Sequence, residues 1–166
     1  MKFRIVKLED LSGSKMSVYT VVVGDKGETL FERFLLENKN THKGELFNIL
    51  ARIRSMADKT GGREQFCKLD EGKPGDGVCA LYDDPEKRLR LYCIRYGTGI
   101  IILGGGGEKP KKIRALQENE KLKYENYLLR DISKAITDRV RSKEIRFSWE
   151  DNEIIGNLEF GTDEED

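Results

Sequence analysis

The sequence predicts an α+β fold: an antiparallel twisted β-sheet with an N-terminal helical hairpin packed on it, extended by an N-terminal strand and a long C-terminal helix. Three observations carry this. Arg88 to Tyr96 alternates with period two and is followed by Gly97-Thr98 and the wholly apolar Ile100 to Leu103, which together read as a hairpin. Between residues 29 and 57, apolar residues recur at helical spacing in two stretches. Beyond residue 112 a 3.6-residue period is kept as far as Val140.

In chain order, Lys2 to Leu8 alternates around Phe3 and Ile5, and Val18 to Val23 is β-branched, so two strands flank the turn-forming Leu11 to Ser14. Asp25-Lys-Gly27 ends the second strand. Leu30, Phe31, Phe34 and Leu35 mark a helix from about Thr29 to Glu37. Thr41 is placed to cap a second helix whose apolar face is Leu46, Ile49, Leu50, Ile53, Met56 and Ala57, with Gly61-Gly62 as its stop. Phe66 to Leu69 is a brief strand, Glu71 to Gly77 a loop, and Val78 to Tyr82 a further strand that turns at Asp83 to Glu86. The run Gly104 to Gly107 reads as a flexible connector, or as bare backbone that a phosphate can approach. The long helix spans about Lys112 to Val140 and is polar all round at Glu118 to Lys121, where it is open to a break. Ile145 to Trp149 and Ile154 to Phe160 suggest a last hairpin across Asp151-Asn152. One domain over residues 1–160 results, with its core at about 17–123, a C-terminal helical extension at about 112–140, and residues 161–166 as an acidic disordered tail.

Thirty basic and thirty acidic residues cancel overall, which excludes a polyanion binder that works through net charge. Their distribution is uneven. Glu108 to Arg146 holds 12 basic and 7 acidic residues, whereas Glu150 to Asp166 holds 8 acidic and no basic ones. That acidic end is either a solubilising tail or a competitor for a basic face. Cys67, Cys79 and Cys93 are odd in number and lack C-x-x-C spacing, which argues against a disulfide framework or a zinc site and for reduced core residues. No metal or cofactor is expected. Met1 to Leu11 does not read as a signal peptide and no apolar run reaches the roughly 20 residues of a membrane span, so the expected location is the cytoplasm.

Parity places Arg88, Arg90, Tyr92 and Tyr96 on one face of their strand, with Leu89, Leu91 and Cys93 on the other. Cations and aromatics on one sheet face suit a phosphodiester chain; the plainer alternative is a solvated or helix-covered face.

Tyr19 to Val23, Asp25-Lys-Gly27, Phe31-Glu-Arg-Phe-Leu35, Phe66-Cys-Lys-Leu69, Leu89 to Tyr96 and Gly99 to Leu103 occur in the order found in RelE-like bacterial toxins, and the chain resembles the HigB branch best over about Ser17 to Lys123. The resemblance implies a toxin of a type II toxin–antitoxin pair: a metal-independent, ribosome-dependent mRNA endonuclease (an mRNA interferase). It would act by attack of the ribose 2′-hydroxyl on the scissile phosphate. The implied partners are a cognate antitoxin, often with a helix-turn-helix domain, the ribosome and its mRNA; a homodimer is open, and no membrane is implied. Arg90 falls at the family's strand arginine and is expected to hold the scissile phosphate. Lys68 falls at the Lys-Leu position, and Lys109, Lys111 and Lys112 at or near the basic segment after the last strand. Arg88, Tyr92 and Tyr96 share the face of Arg90 as RNA contacts.

Two positions depart from the pattern. Gly104 to Gly107 and Glu108-Lys109 stand where many HigB-like chains carry His-Gly-Phe and lysines, and Tyr82-Asp83 replaces an arginine. The one histidine, His42, lies at the second helix, remote from the sheet face in the family layout. General-base work is left to a tyrosine, with Tyr96 the candidate, to a lysine such as Lys109, or to no side chain. Those departures sustain two alternatives on the same scaffold: a catalytically inactive RNA- or protein-binding module, and a ParE-like gyrase inhibitor.

Overall fold

The computed structural model describes residues 1–25, 27–68, 72, 75–81, 87–109 and 119–161. Its centre is a seven-stranded mixed sheet with helices on both faces. β1 (Phe3–Lys7) and β2 (Ser17–Val23) form the expected hairpin, pairing Phe3 with Val23 and Lys7 with Tyr19. α1 (Leu30–Asn38) starts at Thr29, whose hydroxyl accepts the Glu32 amide at 3.0 Å. α2 (Lys43–Ser55) starts at His42, not at Thr41, and its N-cap side chain makes no capping bond. Its last turn widens into a single π-helical turn over Met56–Thr60, and Gly61, at φ 76°, ends it.

β3 (Cys67–Lys68), β4 (Val78–Leu81), β5 (Leu89–Tyr96) and β6 (Ile100–Glu108) follow as an antiparallel meander. β6 then lies parallel to β2, with Ser17 opposite Ile100 and Thr20 opposite Leu103. The strand order is β3-β4-β5-β6-β2-β1-β9, so the sheet is larger than expected and not purely antiparallel. Ser17 to Val22 is buried throughout because β2 sits inside a sheet covered on both faces, which is why it reads as a continuous β-branched run. Both edge strands, β3 and β9 (Glu159–Phe160), are two residues long, which leaves little backbone for unwanted pairing.

Several expectations are corrected in detail. β5 and β6 join through three residues, 97–99, with Gly97 at φ 57°, and not through Gly97-Thr98 alone. The glycine run is no connector: Gly104 to Gly107 are strand residues of β6, buried and paired with β5. α3 (Glu120–Arg141) begins in the polar stretch where a break was open, and the Asn119 carboxamide oxygen accepts the Leu122 amide at 2.8 Å to cap it. The expected helix before Asn119, the turn at Asp83 to Glu86 and the tail from Thr162 to Asp166 lie outside the described residues. β7 (Ile145–Ser148) and β8 (Glu153–Gly156) form the last hairpin with Asn152 at φ 54°, and the Ile154 amide donates to the Tyr19 hydroxyl at 3.0 Å. β9 extends the main sheet beyond β1, where Phe160 stacks on Phe3 at 4.2 Å between ring centroids.

Two cores result. α1 and α2 bring Phe31, Phe34, Leu46, Ile49 and Ile53 onto one face of the sheet. α3 brings Leu122, Leu129, Ile132 and Ile136 onto the other, over β6, β5 and β4.

Candidate nucleic-acid interface

β5 has the expected parity. Leu89, Leu91 and Cys93 belong to the core under α1 and α2, while Tyr92, Ile94 and Tyr96 belong to the core under α3. The second face is not open, however: Arg90 is 9% exposed and Tyr92 3%. The glycines explain how a helix comes so close. Between Leu91 and Cys93 the register slips, so that Gly104 and Gly105 together oppose Tyr92 in a β-bulge. A Cβ on Gly104 would lie 2.9 Å from Leu129, one on Gly105 2.2 Å from the Glu125 carboxylate, and one on Gly107 3.2 Å from Lys121. Residues 122, 125 and 129 of α3 therefore rest on bare β6 backbone, along a track that only glycine leaves free.

Arg90, Tyr92 and Tyr96 are thus packing positions in this state and not a platform for a ribonucleotide strand. The Tyr96 ring packs on Phe147 at 4.6 Å, and its buried hydroxyl has no hydrogen-bond partner within normal geometry. Ser133 lies beside it but donates its own hydroxyl to the Asp76 carbonyl. Burial pushes the Tyr96 phenol far above its ordinary pKa, which removes it as a general base. Lys68, Arg88 and Lys109 are half-buried. Lys68 pairs with Ala80, which pairs with Tyr92, so it shares the α3 side of the sheet at the β3 edge. The Lys109 amide donates to the Arg88 carbonyl at 2.6 Å, bringing these two to one end of β5 and β6. Lys111 and Lys112 lie outside the described residues.

His42, set aside on sequence grounds, is carried by α2 to that same end. Its Nε2 contacts the Glu108 carboxylate, and its Nδ1 lies 3.8 Å from Glu45, whose other oxygen accepts the Leu89 amide at 2.8 Å. Sixty-six residues separate His42 from Glu108, and no local pattern announces such a contact. Glu108 follows Gly107 and so faces the α2 side, opposite to Arg90.

The outer face of α3 carries what the sheet does not expose. Residues 123, 127, 130, 134, 137 and 141 recur at four- and three-residue steps, opposite the buried 122, 125, 129, 132 and 136. Lys123, Tyr127, Lys134 and Arg141 are exposed and Arg130 half-exposed. The Tyr127 ring lies between two cations, Lys123 Nζ at 5.7 Å and Arg130 Cζ at 5.2 Å from its centroid. Among the described residues, Lys123, Arg130, Lys134 and Arg141 make no ion pair, although Asp131 and Asp138 run alongside them. Tyr124 is exposed on the neighbouring position. In sequence this stripe is the polar half of the helical period, legible as an amphipathic face but not as an interface.

All three cysteines converge under α1 and α2. They are free, buried, and their sulfurs lie within 4.8 Å of one another, with Cys79 Sγ and Cys93 Sγ 3.5 Å apart. Mutual hydrogen bonding couples the three thiols, lowering the pKa of Cys67 and raising those of Cys79 and Cys93. Spacings of 12 and 14 residues give no sign of this, because the contact depends on register across three strands.

Comparison with family models, with curated proteins and with solved structures finds no match to this chain. Among the described residues no helix is long and apolar enough to cross a membrane.

Proposed function

We propose that the chain is a RelE-like scaffold of the HigB type that works as a non-catalytic RNA-binding module. The order of strand, helical hairpin and antiparallel meander supports the scaffold. One observation carries the function: Arg90 and Tyr92 are buried, while on the outside of α3 Lys123 and Arg130 flank Tyr127 and Lys134 and Arg141 continue the stripe, none of the four in an ion pair among the described residues. At 1.5 Å rise per residue, Lys123 to Arg141 spans about 27 Å, long enough to follow several nucleotides of a single strand. The four cations neutralise phosphates and release counterions, and the exposed Tyr124 offers a ring face for a base. Such binding is tolerant of sequence and falls with salt.

Fluorescence anisotropy of a labelled single-stranded RNA, measured against salt concentration, tests it. Arg130→Gln with Lys134→Gln should weaken binding about tenfold and lower the slope of log affinity against log salt by about 1.4, since each lost phosphate contact removes roughly 0.7. Unchanged affinity and slope in the double variant would refute the module.

A second reading has its own observation. His42, in contact with Glu108 at the end of the sheet where Arg88 and Lys109 emerge, is the histidine that a ribosome-dependent mRNA endonuclease would want. There His42 would move the proton of the attacking 2′-hydroxyl, Glu108 would orient the ring, and Arg88 and Lys109, at the same end of the sheet, would hold the phosphate, whereas Arg90 faces the other side. A cognate antitoxin and the ribosome are its partners. Expression in a bacterial host separates the readings. Growth arrest with cut transcripts, lost in His42→Ala and Arg88→Ala, supports the toxin; arrest with DNA damage supports a gyrase inhibitor; no arrest leaves the module.

A further inference from the structure

We propose that Cys67, Cys79 and Cys93 form a three-sulfur site for a soft monovalent metal ion, Cu(I) in chemical class. All three cysteines of the chain meet at one point, brought there by three adjacent strands. Cys79 on β4 stands directly opposite Cys93 on β5, and Cys67 on β3 is diagonal to Cys79. A metal about 2.3 Å from each sulfur in a trigonal plane needs sulfurs about 4 Å apart. The observed 3.5 Å between two of them, and the 4.8 Å limit on all, bracket that requirement.

Coordination number selects the ion. Zinc takes four ligands, and among the described residues no histidine or carboxylate has a ligand atom close to all three sulfurs. The side chains of the same core are apolar, Ile53, Met56, Leu81 and Leu91 among them. Three sulfurs and no oxygen or nitrogen donor favour a soft cation satisfied by three ligands. Charge is part of the fit. An ion of charge +1 that displaces three thiol protons leaves the site at −2. Arg95, on the same side of β5, offsets one unit, and its guanidinium is fixed by donation from Nε to the Gly62 carbonyl at 2.6 Å. Entry is through the sheet edge. Cys67 is 8% exposed on the two-residue strand β3, and its neighbour Phe66 and strand partner Leu81 line a cleft of about 390 Å³ with Gln65 and Met56.

The test is a titration of the reduced, full-length chain under argon with Cu(I) held by a competing chelator. One equivalent should bind, all three thiols should lose reactivity towards a thiol reagent, and X-ray absorption at the copper edge should give a shell of three sulfurs. Cys67→Ala, at the edge and so the mildest change to the fold, should lower affinity at least about 100-fold. Circular dichroism establishes that this variant is folded; if it is not, the sulfur shell and thiol protection of the unaltered chain decide. Copper left in the chelator, copper bound no more tightly than by Cys67→Ala, or a preference for Zn(II) in a four-coordinate shell would each overturn the assignment.

Discussion

On one face of the sheet, α1 and α2 lower Phe31, Phe34, Ile49 and Ile53 between Val18, Leu91, Ile101 and Leu103, so that side chain meets side chain across an apolar layer. On the other, α3 meets bare backbone at Gly104, Gly105 and Gly107, and buries a carboxylate, Glu125, at 1% exposure. One Glu125 oxygen is held by Arg33 of α1 and by Lys121 at 2.9 Å; the other has no hydrogen-bond partner. Both layers are closed, but by different means. The first rests on volume and apolar area, which no single polar event disturbs. The second combines close helix–strand approach with a charge whose attachment depends on two long cations. The α3 layer is therefore the one that a mutation, a partner or high pH can loosen while the rest of the fold stays intact.

The largest effect belongs to the apolar layer. Phe34 is fully buried between α1 and the sheet, and Phe34→Ala should cost about 3–5 kcal/mol, close to the whole stability of many domains. Chemical denaturation should show a single lowered midpoint, and amide exchange should quicken in both layers together. Faster exchange confined to α1 and α2 would mean that the layers fold separately and that the comparison above understates their independence.

Glu125→Gln comes next. The change keeps the shape and removes the charge, so Arg33 and Lys121 lose their shared anion; both are partly exposed and turn to water, which limits the cost to about 2 kcal/mol. Exchange should quicken along α3 and at β6 while α2 stays protected.

Gly105→Ala sharpens the point from the strand side. Its new Cβ would stand 2.2 Å from the unpartnered Glu125 oxygen of a carboxylate that Arg33 and Lys121 hold by its other oxygen, and its lower unfolded-state entropy returns part of the loss. A net cost of about 1 kcal/mol is expected, again with exchange altered only in the α3 layer. Equal protection of α3 in the variant and the parent would show that the glycines do not set the approach of the helix.

Much of this architecture was legible. Alternation in β5 put Arg90, Tyr92 and Tyr96 on one side because pleat geometry fixes parity locally, and Leu46, Ile49 and Ile53 gave α2 its buried face for the same reason. What covers a face is not local. Periodicity made the basic side of β5 look like a platform, and the helix that closes it lies more than twenty residues further on. The glycine run misled because strand patterns are read from side chains and these positions have none; their meaning appears only once Leu129 and Glu125 are seen against them. His42 and the three cysteines were passed over for a related reason, since their partners are set by register and helix docking and not by spacing.

Tyr96→Phe is expected to change least at neutral pH and most in alkali. The buried hydroxyl makes no normal hydrogen bond, so its removal should alter stability by less than about 1 kcal/mol at pH 7, in either direction. Burial raises the pKa of Tyr96 in the folded chain, and that of Tyr19 likewise. As pH passes the ordinary tyrosine value of about 10, the unfolded chain releases phenolic protons that the folded chain keeps, so stability falls. Lys121 adds to the fall: burial lowers its pKa, but the hydrogen bonds it donates to Glu125 and Glu37 outweigh this and raise it, and the stability gained from that charged form is lost as pH climbs through the raised value. Thermal unfolding from pH 7 to 11 should therefore show a steep alkaline decline in the parent, shallower in Tyr96→Phe, with α3 the first element to lose exchange protection. A decline of the same steepness in both proteins would place the alkaline weakness elsewhere and leave the two layers equally sensitive to charge.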